Sequence, residues 1–235
     1  MKVAVVGLKR KVVEVHLPEF SLKLDKKNPD VVISFGGDGT SLYGERIYPG
    51  VPRIMIKHSK TCNKCKEHDF SKVFTALKEG RFKIKEEIKL EGIVNKNPKR
   101  KLIGLNEICI HHKIPTKSIR FRVKVNGKII ADEAIGDGLV VATPYGSTAY
   151  FYSVSRRKFS SGLGIAFNNT RKSRKSIVVK DNSVIKVEIL RGQGLMTADE
   201  NKRMIPVKKE DAITIKRAKG KARIIEMKGK RRISV

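Results

Sequence analysis

Two patterns of apolar and polar positions divide the chain near Arg81. Before it, apolar runs alternate with segments of helical spacing. Lys2–Gly7 and Val31-Val32-Ile33-Ser34-Phe35 are near-continuous apolar runs, the pattern of strands buried on both faces of a parallel sheet. Val12–Leu17 and Arg53–Ile56 predict two more strands. Ser41–Ile47 predicts a short helix stopped by Pro49-Gly50. Asp69–Lys78 sets Phe70, Val73, Phe74 and Leu77 on one helical face, with Asp69 or Ser71 near its start and Gly80 past its end. This alternation predicts a small α/β domain.

Beyond Arg81 the runs become short and strand-like. Phe82–Val94, Lys101–His111, Ile119–Val125, Lys128–Ala134 and Leu139–Thr143 are predicted strands, and Asn126-Gly127 is a strong hairpin turn. Ser176–Val179, Val184–Leu190, Gly194–Ala198, Arg203–Val207, Ala212–Lys216 and Ala222–Met227 continue the pattern. One helix interrupts it, beginning near Ser147 after Pro144-Tyr145-Gly146. Many short strands with regular turns predict a sandwich or compact β-domain. The expected organisation is therefore α/β over 1–90, β-rich over 91–221, and a strand and tail over 222–235 returning to the first domain.

Charge changes the picture of partners but not of fold. Lys and Arg number 52 against 23 acids, a formal net of +29. Such a field attracts polyanions nonspecifically, nucleic acid included. The cations are spread along the chain, aromatics are few and Trp is absent, so a base-stacking platform has little support. The basic stretch Arg156–Lys175 reads as a solvated loop that could also draw in anionic substrates or polyphosphate. Three cysteines argue against a disulfide framework. No apolar run approaches the roughly 18 residues of a membrane span, so no membrane association and a cytoplasmic location are expected.

Three stretches carry chemistry. Gly36-Gly37-Asp38-Gly39-Thr40 follows a strand and opens a helix. Its glycines let backbone N–H groups close on phosphates, and an acid there earns its place by binding Mg²⁺ or taking a proton from a hydroxyl. A capped strand-to-helix turn with Asp38 as N-cap is the simpler alternative. Asp137-Gly138, then Thr143-Pro144-Tyr145-Gly146-Ser147-Thr148-Ala149-Tyr150, brings an acid and two hydroxyls to the two ends of one strand. Ser147 and Thr148 could cap the helix or bind a ligand, Ala149 leaves room for a flat group, and Tyr150 could stack on it. Asn106-Glu107 can grip ribose hydroxyls or an adenine edge.

In order and spacing these stretches resemble the NAD kinase family (ATP-NAD kinases). The glycine-aspartate turn is shared with lipid kinases and, loosely, with phosphofructokinases; Gly146-Ser147-Thr148-Ala149-Tyr150 is far more specific. The resemblance implies a Rossmann-like N-terminal domain and a β-sandwich C-terminal domain. It implies transfer of the γ-phosphoryl of ATP, with Mg²⁺ or another divalent cation, to the 2′-hydroxyl of the adenosine ribose of NAD. Asp38 would be the base, with Gly36, Gly37, Gly39 and Thr40 on the triphosphate. Asn106, Glu107, Asp137, Tyr145, Thr148, Ala149, Tyr150 and Ser153 would bind NAD. A homo-oligomer, dimer or tetramer, is implied as well. The alternatives are a lipid or other small-molecule kinase using the same turn, and a basic nucleic-acid-binding protein on a degenerate kinase fold.

The chain departs from the family pattern in three places. The loop His58–Cys65 replaces a Gly- and Phe-containing loop, Val154-Ser155-Arg156-Arg157-Lys158 replaces a Gly-Gly-Pro-like run, and Asp199-Glu200-Asn201 replaces an Asp-Gly-Gln turn. In the first of these, His58, Cys62, Cys65 and His68 have a spacing that could hold Zn²⁺, with reduced structural cysteines the alternative.

Overall fold

A computed structural model describes residues 1–58, 64 and 69–227. The chain divides into two compact units, one formed by residues 1–87 and the segment from Lys221 onward, the other by residues 88–220.

In the first unit β1 (Lys2–Val6), α1 (Lys11–Glu14), β2 (Lys23–Leu24), β3 (Val31–Gly36), α2 (Asp38–Ile47), β4 (Arg53–Lys57) and α3 (Phe70–Lys78) follow one another. The strands are parallel in the order β4-β3-β1-β2. The chain's C-terminal segment extends this sheet, with Ile224 opposite Arg53. Residues Val31 to Phe35 are all buried, which is why their sequence lacks alternation. The strand expected at Val12–Leu17 is instead α1 and a following turn. Val13 and Leu17 enter the core while Val15, which would share their face in a strand, stays exposed, as a helix places it. Pro18 then opens a 3-10 turn. In α3, Asp69 accepts from the backbone N–H groups of Ser71 and Lys72, and Val73, Phe74 and Leu77 pack with Ile33 and Ile56. The fully buried Arg53 donates to Glu45 at 2.7 Å and so ties β4 to α2.

β5 (Phe82–Val94) leads into the second unit, followed by β6 (Lys101–Gly104), β7 (Glu107–His112), β8 (Ile119–Val125) and β9 (Lys128–Ala142). After a 3-10 turn at Tyr145–Thr148 come α4 (Tyr150–Ser155), β10 (Leu163–Thr170), β11 (Ile177–Val179), β12 (Ile185–Arg191), β13 (Gln193–Ala198), β14 (Ile205–Lys208) and β15 (Ala212–Met227). β9 organises this unit. Its first part pairs with β8, and its last part lies between β7 and β10, all antiparallel. Inward-facing Ile108, Phe121, Leu139, Val141, Ile165, Val187 and Ile213 share one large core. The other face of β7, β9 and β10 carries Cys109, Val140, Ala142 and Ala166, on which Phe151 of α4 packs.

Five sequence expectations change here. Lys101–His111 is two strands separated at Leu105-Asn106, whereas Lys128–Ala134 and Leu139–Thr143 are one strand, as are Ala212–Lys216 and Ala222–Met227. Gly136 and Gly138 read as a break but serve close strand approach: at Gly138, with φ +150°, a Cβ would fall 1.8 Å from the Ile110 carbonyl oxygen. The basic stretch Arg156–Lys175 is not simply a loop, because it contains β10, with Leu163 to Ala166 buried. Two of its cations are structural: Arg157 donates to the Ser176 carbonyl, and Arg174 donates to the Glu133 carbonyl and lies over the Phe167 ring. The helix expected from Ser147 is two pieces hinged at Ala149, and no side-chain hydrogen bond caps either.

Candidate functional site

The glycine turn joins β3 to α2 in the first unit. The helix begins at Asp38 rather than Ser41, with Gly37 as an extended N-cap. Asp38 therefore occupies the first turn, where the helix dipole favours negative charge and the first N–H groups have no intrahelical acceptor. Asp38 is not the cap, because Gly37 holds that position. The Asp38 Oδ1 accepts from the Lys64 N–H at 3.1 Å, so this one residue of the replaced loop reaches the acid. A Cβ on Gly36 would fall 2.3 Å from the Thr40 hydroxyl oxygen, so the closeness of the turn needs glycine there. His58 donates its N–H to the Gly36 carbonyl at 3.0 Å, and its ring stacks on Phe35 at 4.5 Å. That gives His58 a use at the base of the turn. Cys62, Cys65 and His68 of the proposed zinc set lie outside the described residues, and among the described residues no group of three His, Cys, Asp or Glu is in place for a metal ion.

In the second unit, Asn106 and Glu107 are buried at the break between β6 and β7. Asp199 holds this break. Its carboxylate accepts from the N–H groups of Leu105 at 2.7 Å, Asn106 at 2.8 Å and Glu107 at 3.1 Å. Thr143 holds it from the other side. Its N–H donates to the Asn106 carbonyl at 2.8 Å, and its hydroxyl donates to the Leu105 carbonyl at 2.6 Å while accepting from the Gly146 N–H at 3.1 Å. The Asn106-Glu107 turn and the turn that opens at Pro144 are thus one hydrogen-bonded body.

Further along the same face, His111, Gly138 and Asn168 sit side by side on β7, β9 and β10. Tyr150 covers this row, with its ring 5.7 Å from that of His111 and its hydroxyl accepting from Asn168 Nδ2 at 3.1 Å. Burial, then the charges of Cys109 and Asp137, push the Tyr150 hydroxyl above its ordinary range. Burial pushes the imidazolium of His111 down, and His112 adds to this. Asp137 lies within β9, accepting from Asn169 Nδ2 at 3.0 Å and facing His112 Nδ1 at 3.4 Å. Ala149 and Tyr145 are half-buried, and Thr148 and Ser153 are exposed.

The structure thus links Asn106 and Glu107 to the 143–150 turn, whereas Tyr150 and Asp137 are each bonded by a different asparagine, Asn168 and Asn169. Thr148 and Ser153 gain no such link in the hydrogen bonds above. Sequence reasoning missed Thr143 as a strut, His111, His112, Asn168 and Asn169, and the clamp by Asp199. The asparagines lay in a stretch read as loop. Asp199 stands in the sequence only as the first residue of a turn that departs from the family pattern after it.

The comparisons with known proteins agree with this architecture. Residues 105–227, just over half of the chain, match the ATP-NAD kinase C-terminal domain. The NAD kinase of Pyrococcus abyssi is 38% identical over 146 residues, covering 59% of this chain and 52% of that protein. The bifunctional NADP phosphatase/NAD kinase of Methanococcus maripaludis is 28% identical over 207 residues, covering 83% of this chain and 36% of that protein. The chain spans about half the length, or less, of these curated relatives. An NAD kinase from Archaeoglobus fulgidus, solved in complex with ATP, superposes with a TM-score of 0.79 at 21% identity, covering 97% of this chain and 94% of that one. Yeast NADH kinase complexed with NADH gives 0.80 at 18% identity, covering 97% and 84%. These two likenesses carry the fold: a Rossmann-like unit and a β-sandwich unit of the NAD kinase kind. With the C-terminal domain matched across the segment that holds the Asn106 turn, Thr143 and Asp199, the chain belongs to the ATP-NAD kinase family.

Proposed function

We propose that this chain is an ATP-dependent NAD kinase that phosphorylates the 2′-hydroxyl of the adenosine ribose of NAD. The observation that carries the reading is the joint body formed by Asn106-Glu107 and the 143–150 turn. It places an amide, a carboxylate and a row of small and hydroxylated residues in the part of the chain the family match covers. Asn106, Glu107, Asp137, Tyr145, Thr148, Ala149, Tyr150 and Ser153 bind the dinucleotide in this reading.

Asp38 is the general base. The 2′-oxygen attacks the γ-phosphorus, the bond from that phosphorus to the β–γ bridging oxygen breaks, and ADP leaves while the hydroxyl proton passes to Asp38. N–H groups at Gly36, Gly37, Gly39 and Thr40 hold phosphate oxygens, helped by the α2 dipole. A divalent cation, Mg²⁺ in this proposal, would neutralise charge on the phosphates. The turn suits it. The triphosphate supplies most of the oxygens such a cation takes, and Asp38 is the carboxylate at hand. The enzyme is proposed to be cytoplasmic and a dimer or tetramer; light scattering on the purified protein tests the assembly.

The assay is purified protein with Mg-ATP and NAD, read by an NADP-specific dehydrogenase. Wild type is expected to form NADP, and Asp38→Asn to lose about 10²-fold or more in kcat. An undamaged Asp38→Asn enzyme removes the base. No product with NAD or NADH, from ATP or polyphosphate, removes the whole reading.

A further inference from the structure

We propose that Asp199 is a positioning residue for dinucleotide recognition, acting through the backbone of Leu105, Asn106 and Glu107; this rests on the NAD kinase reading. One carboxylate takes three consecutive backbone N–H groups, at 2.7, 2.8 and 3.1 Å. Such charge-assisted bonds are short and directional, and three of them from one side chain fix the path of the turn rather than merely stabilise it. The turn needs fixing because it is neither helix nor strand. β6 ends at Gly104 and β7 begins at Glu107, so Leu105 and Asn106 have no ladder of their own.

Asp199 is itself held in place for this. It follows the last residue of β13, its backbone N–H donates to the Glu107 carbonyl at 3.2 Å, and its φ is +46°. That left-handed turn swings its carboxylate back over the N–H groups of the β6–β7 break. Thr143 ties the opposite side of the break to the 143–150 turn, so Asn106 is gripped from both sides. Misplacing a substrate-binding side chain by about 1 Å costs on the order of 10²-fold in rate, which is the scale of error this clamp prevents. The departure at Asp199-Glu200-Asn201 then has a simple meaning. The acid of the turn has a demanding task, whereas the two residues after it contribute none of these three bonds.

The test is Asp199→Asn. The amide keeps the shape but presents an NH₂ to one or more of the three N–H groups, a donor facing a donor. The expected result is a KM for NAD raised about 10-fold or more, with the KM for ATP within about twofold of wild type and kcat at saturating NAD largely kept. A KM for NAD unchanged in a folded variant overturns the proposal, and so does a parallel loss in every parameter, which would mark a structural role alone. Should the variant not fold, hydrogen exchange on the wild-type protein decides. Amides of residues 105–107 are expected to exchange as slowly as those inside β7, and exchange at the rate of an open turn overturns the clamp. Absence of NAD phosphorylation by wild type would instead refute the kinase reading, and the exchange experiment would still judge the clamp.

Discussion

Hydrogen bonds to the backbone do more at the candidate site than contacts between side chains. Thr143 and Asp199 between them satisfy six backbone groups, the N–H and carbonyl of each of Leu105, Asn106 and Glu107, and neither residue has to touch a ligand to do so. His111 is where solution conditions can be felt. Its ring faces Tyr150, its neighbours include His112 and Asp137, and Cys109 lies one step along β7 on the same face. Burial holds its imidazolium below the ordinary value of about 6.5. The unfolded chain therefore binds a proton more readily than the folded one. The contribution from His111 is whole above about pH 6.5 and is lost as pH falls through the lowered folded value. Thermal melts from pH 8 to 5 should show this decline, and His111→Gln should flatten that part of the curve. Cys109, pushed far up by burial and by the nearby charges of Glu107 and Asp199, should stay unreactive to thiol reagents until the protein unfolds.

At the scale of elements, β9 shows what sequence pattern can and cannot convey. The strand segments on both sides of Gly136-Asp137-Gly138 are legible in the sequence, but the glycines between them read as a break. In the fold they let β7 and β10 close on either side of one continuous strand. Gly138→Ala should therefore be among the most damaging small substitutions. It combines a positive φ with a Cβ 1.8 Å from the Ile110 carbonyl oxygen. Strain and forced backbone movement of this kind cost about 2 kcal/mol or more, and a chemical-denaturation series should show a loss of at least that size. β10 was overlooked for a different reason. Flanking Arg and Lys dominate the composition of 156–175, while the four buried residues Leu163 to Ala166 form too short a run to stand out. The element at Val12–Leu17 failed on period: its apolar residues fit either a strand or a helix until packing picks Val13 and Leu17.

At the scale of the whole molecule, the formal charge of +29 meets a proposed pair of anionic substrates. Long-range attraction of this kind acts on encounter and is screened beyond a Debye length of about 10 Å at 0.1 M salt. kcat/KM for NAD should fall between 20 and 300 mM salt, with kcat at saturation nearly constant. Neutralising Arg171 and Lys172, which are exposed, should weaken that dependence. The same change at Arg174 should instead cost stability, because its guanidinium is tied to the Glu133 carbonyl and the Phe167 ring. A rate indifferent to salt would reduce the charge to a general surface property.

The linear pattern by itself determined the class of fold, an α/β part followed by a β-rich part. Buried parallel strands and alternating antiparallel strands leave different periods in the chain. It also singled out the Gly36–Thr40 turn, because glycines in series around an acid serve few local purposes. Only the tertiary structure decided that Asp38 opens the helix rather than caps it, that Lys64 reaches back to it, and that Asp199 clamps a turn more than ninety residues earlier in the chain. The last two are hydrogen bonds between segments far apart in sequence. Local periodicity carries no record of such partners, because they are chosen by where the sheets bring strand ends together.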